Sequence, residues 1–116
     1  MELLSQTELP GGFGYPPEFM KIVNQGLVDL DPWVVLEGDY LKDRFKGVRE
    51  RYKGRKLIPF ARRLDNDDLA CWDMELNDRV VEIHDFASEG WEQRKVYNTF
   101  WDWFKKAVDD MIEHDQ

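Results

Sequence analysis

Cysteine is nearly missing from this chain: among 116 residues only Cys71 carries a thiol. One cysteine excludes an internal disulfide framework and fits a reducing compartment, so a cytoplasmic location is expected. Histidine is almost as scarce. His84 and His114, with one distant cysteine, match no zinc-ligand spacing. No apolar run approaches the roughly 20 residues of a membrane span. The first ten residues, MELLSQTELP, hold neither a basic region nor a long apolar segment, so no signal peptide and no membrane partner are expected. Glycine and proline gather between Leu9 and Pro17, but these glycines follow no strand and precede no Lys-Ser/Thr pair, which excludes a phosphate loop. A Gly-x-Ser-x-Gly nucleophile element is absent. Asp65-Asn66-Asp67-Asp68 lacks the glycine and the distal bidentate glutamate of a calcium loop. No metal or cofactor is therefore expected, and no residue stands out as catalytic.

Positive charge is also short. Sixteen Lys and Arg stand against 24 Asp and Glu, for a net charge of −8. Such a balance disfavours nucleic acid, because neutralising phosphates needs a basic face. The charge is segregated as well. Residues 37–63 hold ten Lys or Arg and four Asp or Glu, whereas residues 65–92 hold ten Asp or Glu and one Arg. A surface divided in this way is a solvated face that can also steer a partner of opposite charge.

What is plentiful is apolar and aromatic. Hydrophobic residues make up 42% of the chain, enough to argue for a folded core despite 34% charged residues. The length fits one domain, residues 1–116, with residues 1–15 as a turn-rich lead-in. The organising stretch is Leu57 to Phe86. Leu57-Ile58-Pro59-Phe60, Leu69 to Asp73 and Val80 to Asp85 read as three strands. Asp65 to Asp68 and Asn77-Asp78 supply turn chemistry between them. Pro59 cannot donate to a ladder, so its strand is expected at an edge, or Pro59 at the strand's start. Cys71, inside an apolar strand, reads as a small buried hydrophobe.

Helices are expected on either side of this meander. Pro17 suits a first helical turn, Phe19, Ile22 and Val23 follow at helical spacing, and Gly26 ends the segment. Asp31-Pro32 reads as a turn before a short strand, Trp33 to Leu36. Between Asp39 and Tyr52, Leu41, Phe45, Val48 and Tyr52 form one stripe, with Gly54 as the stop. Ala87 to Arg94 reads as a polar loop around Trp91. Thr99 to Glu113 has the strongest periodicity: Phe100, Trp101, Phe104, Ala107, Val108, Met111 and Ile112 make one apolar face. Trp101 belongs to that stripe. Trp103 sits at its margin, either packed by a loop or exposed. The expected fold class is α+β, a single domain with a central, mainly antiparallel sheet flanked by helices and the C-terminal helix packed on it.

The order of these elements resembles the SUKH superfamily, which includes the fungal Smi/Knr regulators of cell-wall synthesis and many bacterial immunity proteins. The resemblance is carried by Ile58-Pro59-Phe60-Ala61, the acidic turn Asp65 to Asp68, Ala70-Cys71-Trp72-Asp73, Val80 to Asp85, and Thr99-Phe100-x-x-Trp103-Phe104. Tyr15-Pro16-x-x-Phe19 with Asn24-x-Gly26 is similar to the family's N-terminal helix and turn. The glycines usual in the acidic turn are replaced by Asn66 and Asp67. The resemblance implies a non-enzymatic protein-binding domain whose bacterial members bind and neutralise a cognate toxin. The expected partner is thus a basic protein toxin of the nuclease type, occluded by an acidic surface. The alternative is an intracellular regulatory adaptor of the Smi/Knr type without a toxin partner. Candidate partner-binding residues are Asp65, Asp67 and Asp68 in one turn and Glu89, Trp91 and Glu92 in another. Trp91 in a polar loop is either an interface anchor or a side chain folded back on the core.

Overall fold

The runs of apolar and β-branched residues between Leu57 and His84 pair with one another as consecutive antiparallel strands in a computed structural model that describes residues 1–115. The strands are β1 (Asp29–Leu30), β2 (Trp33–Val35), β3 (Leu57–Arg63), β4 (Asp68–Asp73), β5 (Arg79–His84) and β6 (Gln93–Tyr97). They lie in one sheet in sequence order, each antiparallel to its neighbour. Three helices complete the α+β domain: α1 (Pro17–Asn24), α2 (Gly38–Arg51) and α3 (Phe100–Asp115).

Strand alternation sorts the layers. Trp72 on β4 meets Phe19 of α1 and Phe100 of α3, with ring centroids 5.0 and 6.4 Å away. Asp73, one residue on, points to the opposite face and is met by Arg55, just beyond α2. The sheet therefore has α1 and α3 on one face and α2 on the other. The aromatic core fills the first interface. Phe60 lies 4.3 Å from Trp72 and 4.8 Å from Trp103, and Trp33 lies 5.5 Å from Trp103. On the second face Leu41, Phe45, Val48 and Tyr52 are buried, as their spacing predicts. Each such side chain contributes about 1.5–3 kcal/mol by leaving water.

Several expectations need correcting. Pro59 belongs to an interior strand, since β3 pairs with β2 on one side and β4 on the other. Strand β2, however, reaches only Ala61 to Arg63, and a register shift lies between Pro59 and Ala61. Pro59 occupies the half of β3 that β2 leaves uncovered, so its missing N–H removes no ladder bond there. Strand β6 falls where a loop and connector are expected. Four of its five residues are exposed, so the sequence carries no inward-outward alternation. The short β1 was likewise not legible.

Helix α3 is rotated from the expected face. Phe100, Trp103, Ala107 and Asp110 are the buried positions. Trp103 is 1% exposed, whereas Trp101 and Ile112 stand out at 39% and 51%, and Phe104 is only partly buried. The reason is a polar lock beneath the helix. Asp110 accepts a bond from the Trp33 indole N–H at 3.0 Å and pairs with Arg63 at 3.2 Å. A stripe drawn through apolar residues alone cannot include that aspartate.

Candidate interaction surface

Register places the two candidate loops together. Asp68 pairs with His84 across β4 and β5, so the β3–β4 turn and the β5–β6 loop emerge from the same end of the sheet. The His84 Nδ1 lies 2.8 Å from an Asp68 carboxylate oxygen and fastens the two strands at that end.

The acidic turn, however, does not present free charge. Asp65 pairs with Arg63 at 2.7 Å, and that bond holds its carboxyl below the ordinary value. Asn66 accepts a bond from the Asp68 N–H at 3.0 Å. Asp67 takes the left-handed conformation at φ 60° and lies 3.6 Å from Arg62 and 3.8 Å from Arg44. These arginines come from α2 and from the end of β3. The turn that reads as an acidic patch is thus stitched to the basic segment before it. Only the approach of Arg44 lies beyond a local sequence window.

Loop 85–92 divides in the same way. Glu92 is 5% exposed and is not a rim charge. Its carboxylate accepts from Arg55 at 2.8 Å and from the Gly90 N–H at 2.7 Å. Burial works to raise this carboxyl, and those bonds outweigh it, leaving it below the usual range. Glu89 is exposed, with no ion pair among the described residues. Trp91 is 76% exposed, which settles the choice between a core side chain and a surface one. Its backbone is held on both sides, since its N–H bonds the Ser88 carbonyl and its carbonyl accepts from Arg94, each at 2.9 Å.

The structure adds two residues that the sequence reading passed over. Asp85 is fully buried as a side chain and accepts from Arg44 at 3.2 Å and from Arg51. It also receives the N–H of Phe86. Phe86 adopts φ 69°, unusual for a bulky residue, and is 61% exposed. Its ring takes the Arg51 guanidinium at 4.3 Å and that of Arg44 at 5.1 Å. The Tyr52 hydroxyl reaches the Ala87 carbonyl at 2.9 Å from beneath. The loop is therefore braced from α2 while holding two aromatic rings in water. The only sequence signal was the position of Phe86 and Trp91 at either end of a polar Ala-Ser-Glu-Gly run.

Buried charge also lies under α3. Glu82 is buried, and this raises its carboxyl despite the bond it accepts from the Tyr97 hydroxyl at 2.8 Å. Burial also presses the Asp110 carboxyl upward. The bonds from Lys106 and Trp33 prevail and hold it below its ordinary value. These groups are engaged inside the fold. Among the described residues no three His, Cys, Asp or Glu side chains are grouped to hold a metal ion, and no helix is long and apolar enough to cross a membrane. In comparisons with known proteins, no family model matches this chain, no curated protein matches it and no solved structure matches it.

Proposed function

We propose that this chain is a non-enzymatic binding domain of the immunity type, which neutralises a basic protein toxin by occupying its surface. The observation that carries the reading is Trp91, three-quarters exposed on a loop whose backbone is fixed on both sides. A large apolar ring presented from a hydrogen-bonded backbone gains by burial when a partner covers it, and tryptophan is enriched among residues that dominate binding energy. Phe86, with Arg44 and Arg51 stacked on it, offers a second aromatic on the same loop. Asp65 and Asp67 are paired with arginines and Asp68 is hydrogen-bonded to His84, so steering of a basic partner rests on the net charge of −8 rather than on this turn.

The test is protection. The product of the gene immediately upstream is expressed in a sensitive host with and without this chain. Wild-type chain should restore growth, and Trp91→Ala should restore it poorly while remaining folded by circular dichroism. Growth arrest that neither form relieves contradicts the toxin reading. Equal protection by both forms removes Trp91 from the interface.

A further inference from the structure

We propose that the opposite end of the sheet carries a second binding site, a groove that takes an acidic peptide segment of another protein with one apolar side chain as its anchor. The groove is independent of the Trp91 surface. Leu57 opens β3 and pairs with Asp73 at the far end of β4, away from the Asp68–His84 end. A depression of about 490 Å³ lies there between the lead-in, α2 and the β3–β4 end, with Leu9, Pro10, Phe45, Leu57 and Met74 among its walls. The lead-in is tied to the fold, because the Gly38 N–H bonds the Glu2 carbonyl at 2.8 Å, Lys42 pairs with the Glu2 carboxylate at 2.9 Å and Leu4 is buried.

Charge decides the occupant. The basic segment of residues 37–63 spends most of its arginines inside the fold: Arg44 and Arg51 on Asp85, Arg55 on Asp73 and Glu92, Arg63 on Asp65 and Asp110. Lys46, Arg49, Lys53 and Lys56 remain. None has a carboxylate within ion-pair distance among the described residues. Lys46 and Arg49 of α2 and Lys53, just past its end, line one shelf with Glu50. Arg49 and Lys56 also line the apolar depression, so Arg49 joins the two. Its guanidinium lies 5.2 Å over the Phe45 ring, which holds it at the mouth. Four cations thus face two carboxylates, Glu8 and Glu50, and Glu8 is already bonded to Ser5.

A peptide fits this arrangement better than other polyanions. A nucleic-acid backbone would use the cations but leave the apolar depression empty. An acidic segment with a leucine or phenylalanine satisfies both parts at once.

The probe is a series of fluorescent twelve-residue peptides with Asp and Glu flanking a central Leu, Phe or Ser, and a Lys-flanked series as control. Binding to the full chain is read by anisotropy at low and physiological salt. Acidic peptides with Leu or Phe should bind at least tenfold more tightly than the Ser and Lys versions, and salt should weaken them. Arg49→Glu with Lys53→Glu, both exposed, should abolish that preference, while Trp91→Ala should leave it intact. Indifference to the central residue, or an unchanged affinity in the double variant, overturns the proposal. So does stronger binding of single-stranded DNA or phosphatidylserine vesicles than of any peptide. Loss of peptide binding to self-association of the chain at working concentration would assign the groove to a second copy and overturn it too.

Discussion

At the scale of single residues, the informative feature is how many carboxylates are consumed by folding. Asp85 is the clearest case. It is buried, holds two arginines of α2 and receives the N–H of Phe86. Removing one partner of a buried ionic group strands the others, at a cost of about 3–5 kcal/mol where they cannot rehydrate. Arg44 and Arg51 retain some contact with solvent, so Asp85→Ala should cost about 3 kcal/mol, at the lower end of that range. Urea denaturation checks this, and a loss below about 1 kcal/mol would show that Asp85 does not hold the loop. Glu82 behaves in the opposite sense. Burial raises its carboxyl in the folded state above the unfolded value, so the folded state binds the proton more tightly. Its contribution to stability therefore falls as pH rises from the unfolded value through the folded one. Glu82→Gln keeps an acceptor for the Tyr97 hydroxyl without the buried charge. The variant should melt higher than wild type at pH 7, with the gap closing as the pH falls toward 4. A gap that widens on acidification would contradict this.

At the scale of elements, α3 separates what the sequence could reveal from what it could not. Its existence and limits follow from periodicity and from Thr99, whose hydroxyl accepts the Asp102 N–H at 3.1 Å. Its rotation does not, because the buried face includes Asp110, bonded to Trp33, 77 residues away in the chain. The two tryptophans test the orientation. Trp103→Ala should cost about 3–5 kcal/mol, and Trp101→Ala less than about 1 kcal/mol. Comparable losses, or the reverse order, would restore the face drawn from hydrophobicity alone. The central strands were legible for a complementary reason. Apart from the buried Asp73 and Glu82, Leu57 to His84 is apolar where it is buried and turn-forming where it reverses, so Asn77 and Asp78 take left-handed backbone where expected. Strand β6 was not legible, since Gln93, Arg94 and Lys95 on an exposed edge carry no apolar pattern. Charged residues on such an edge also discourage pairing with another sheet.

At the scale of the whole molecule, the sheet has two distinct ends. One carries Phe86 and Trp91 on a loop braced from α2. The other carries the apolar groove beside Lys46, Arg49, Lys53 and Lys56. The acidic turn carries its charge in company: Asp65 and Asp67 pair with Arg63 and Arg62 immediately before the turn, and Arg44 of α2 approaches Asp67 from a distant part of the chain. Of the six candidate residues, Trp91 and Glu89 project from the rim, while Asp65, Asp67 and Asp68 are paired there and Glu92 is buried. The proposed interface therefore rests on aromatic burial more than on local charge. Aromatic burial governs dissociation, and long-range charge governs association. The most direct measurement is the kinetics of binding between the purified chain and the upstream gene product, with Trp91→Ala as the variant. A ring worth about 2 kcal/mol should speed dissociation about thirtyfold and leave association nearly unchanged at every salt concentration. A dissociation rate equal to that of the wild type would contradict the account and place the interface away from this loop.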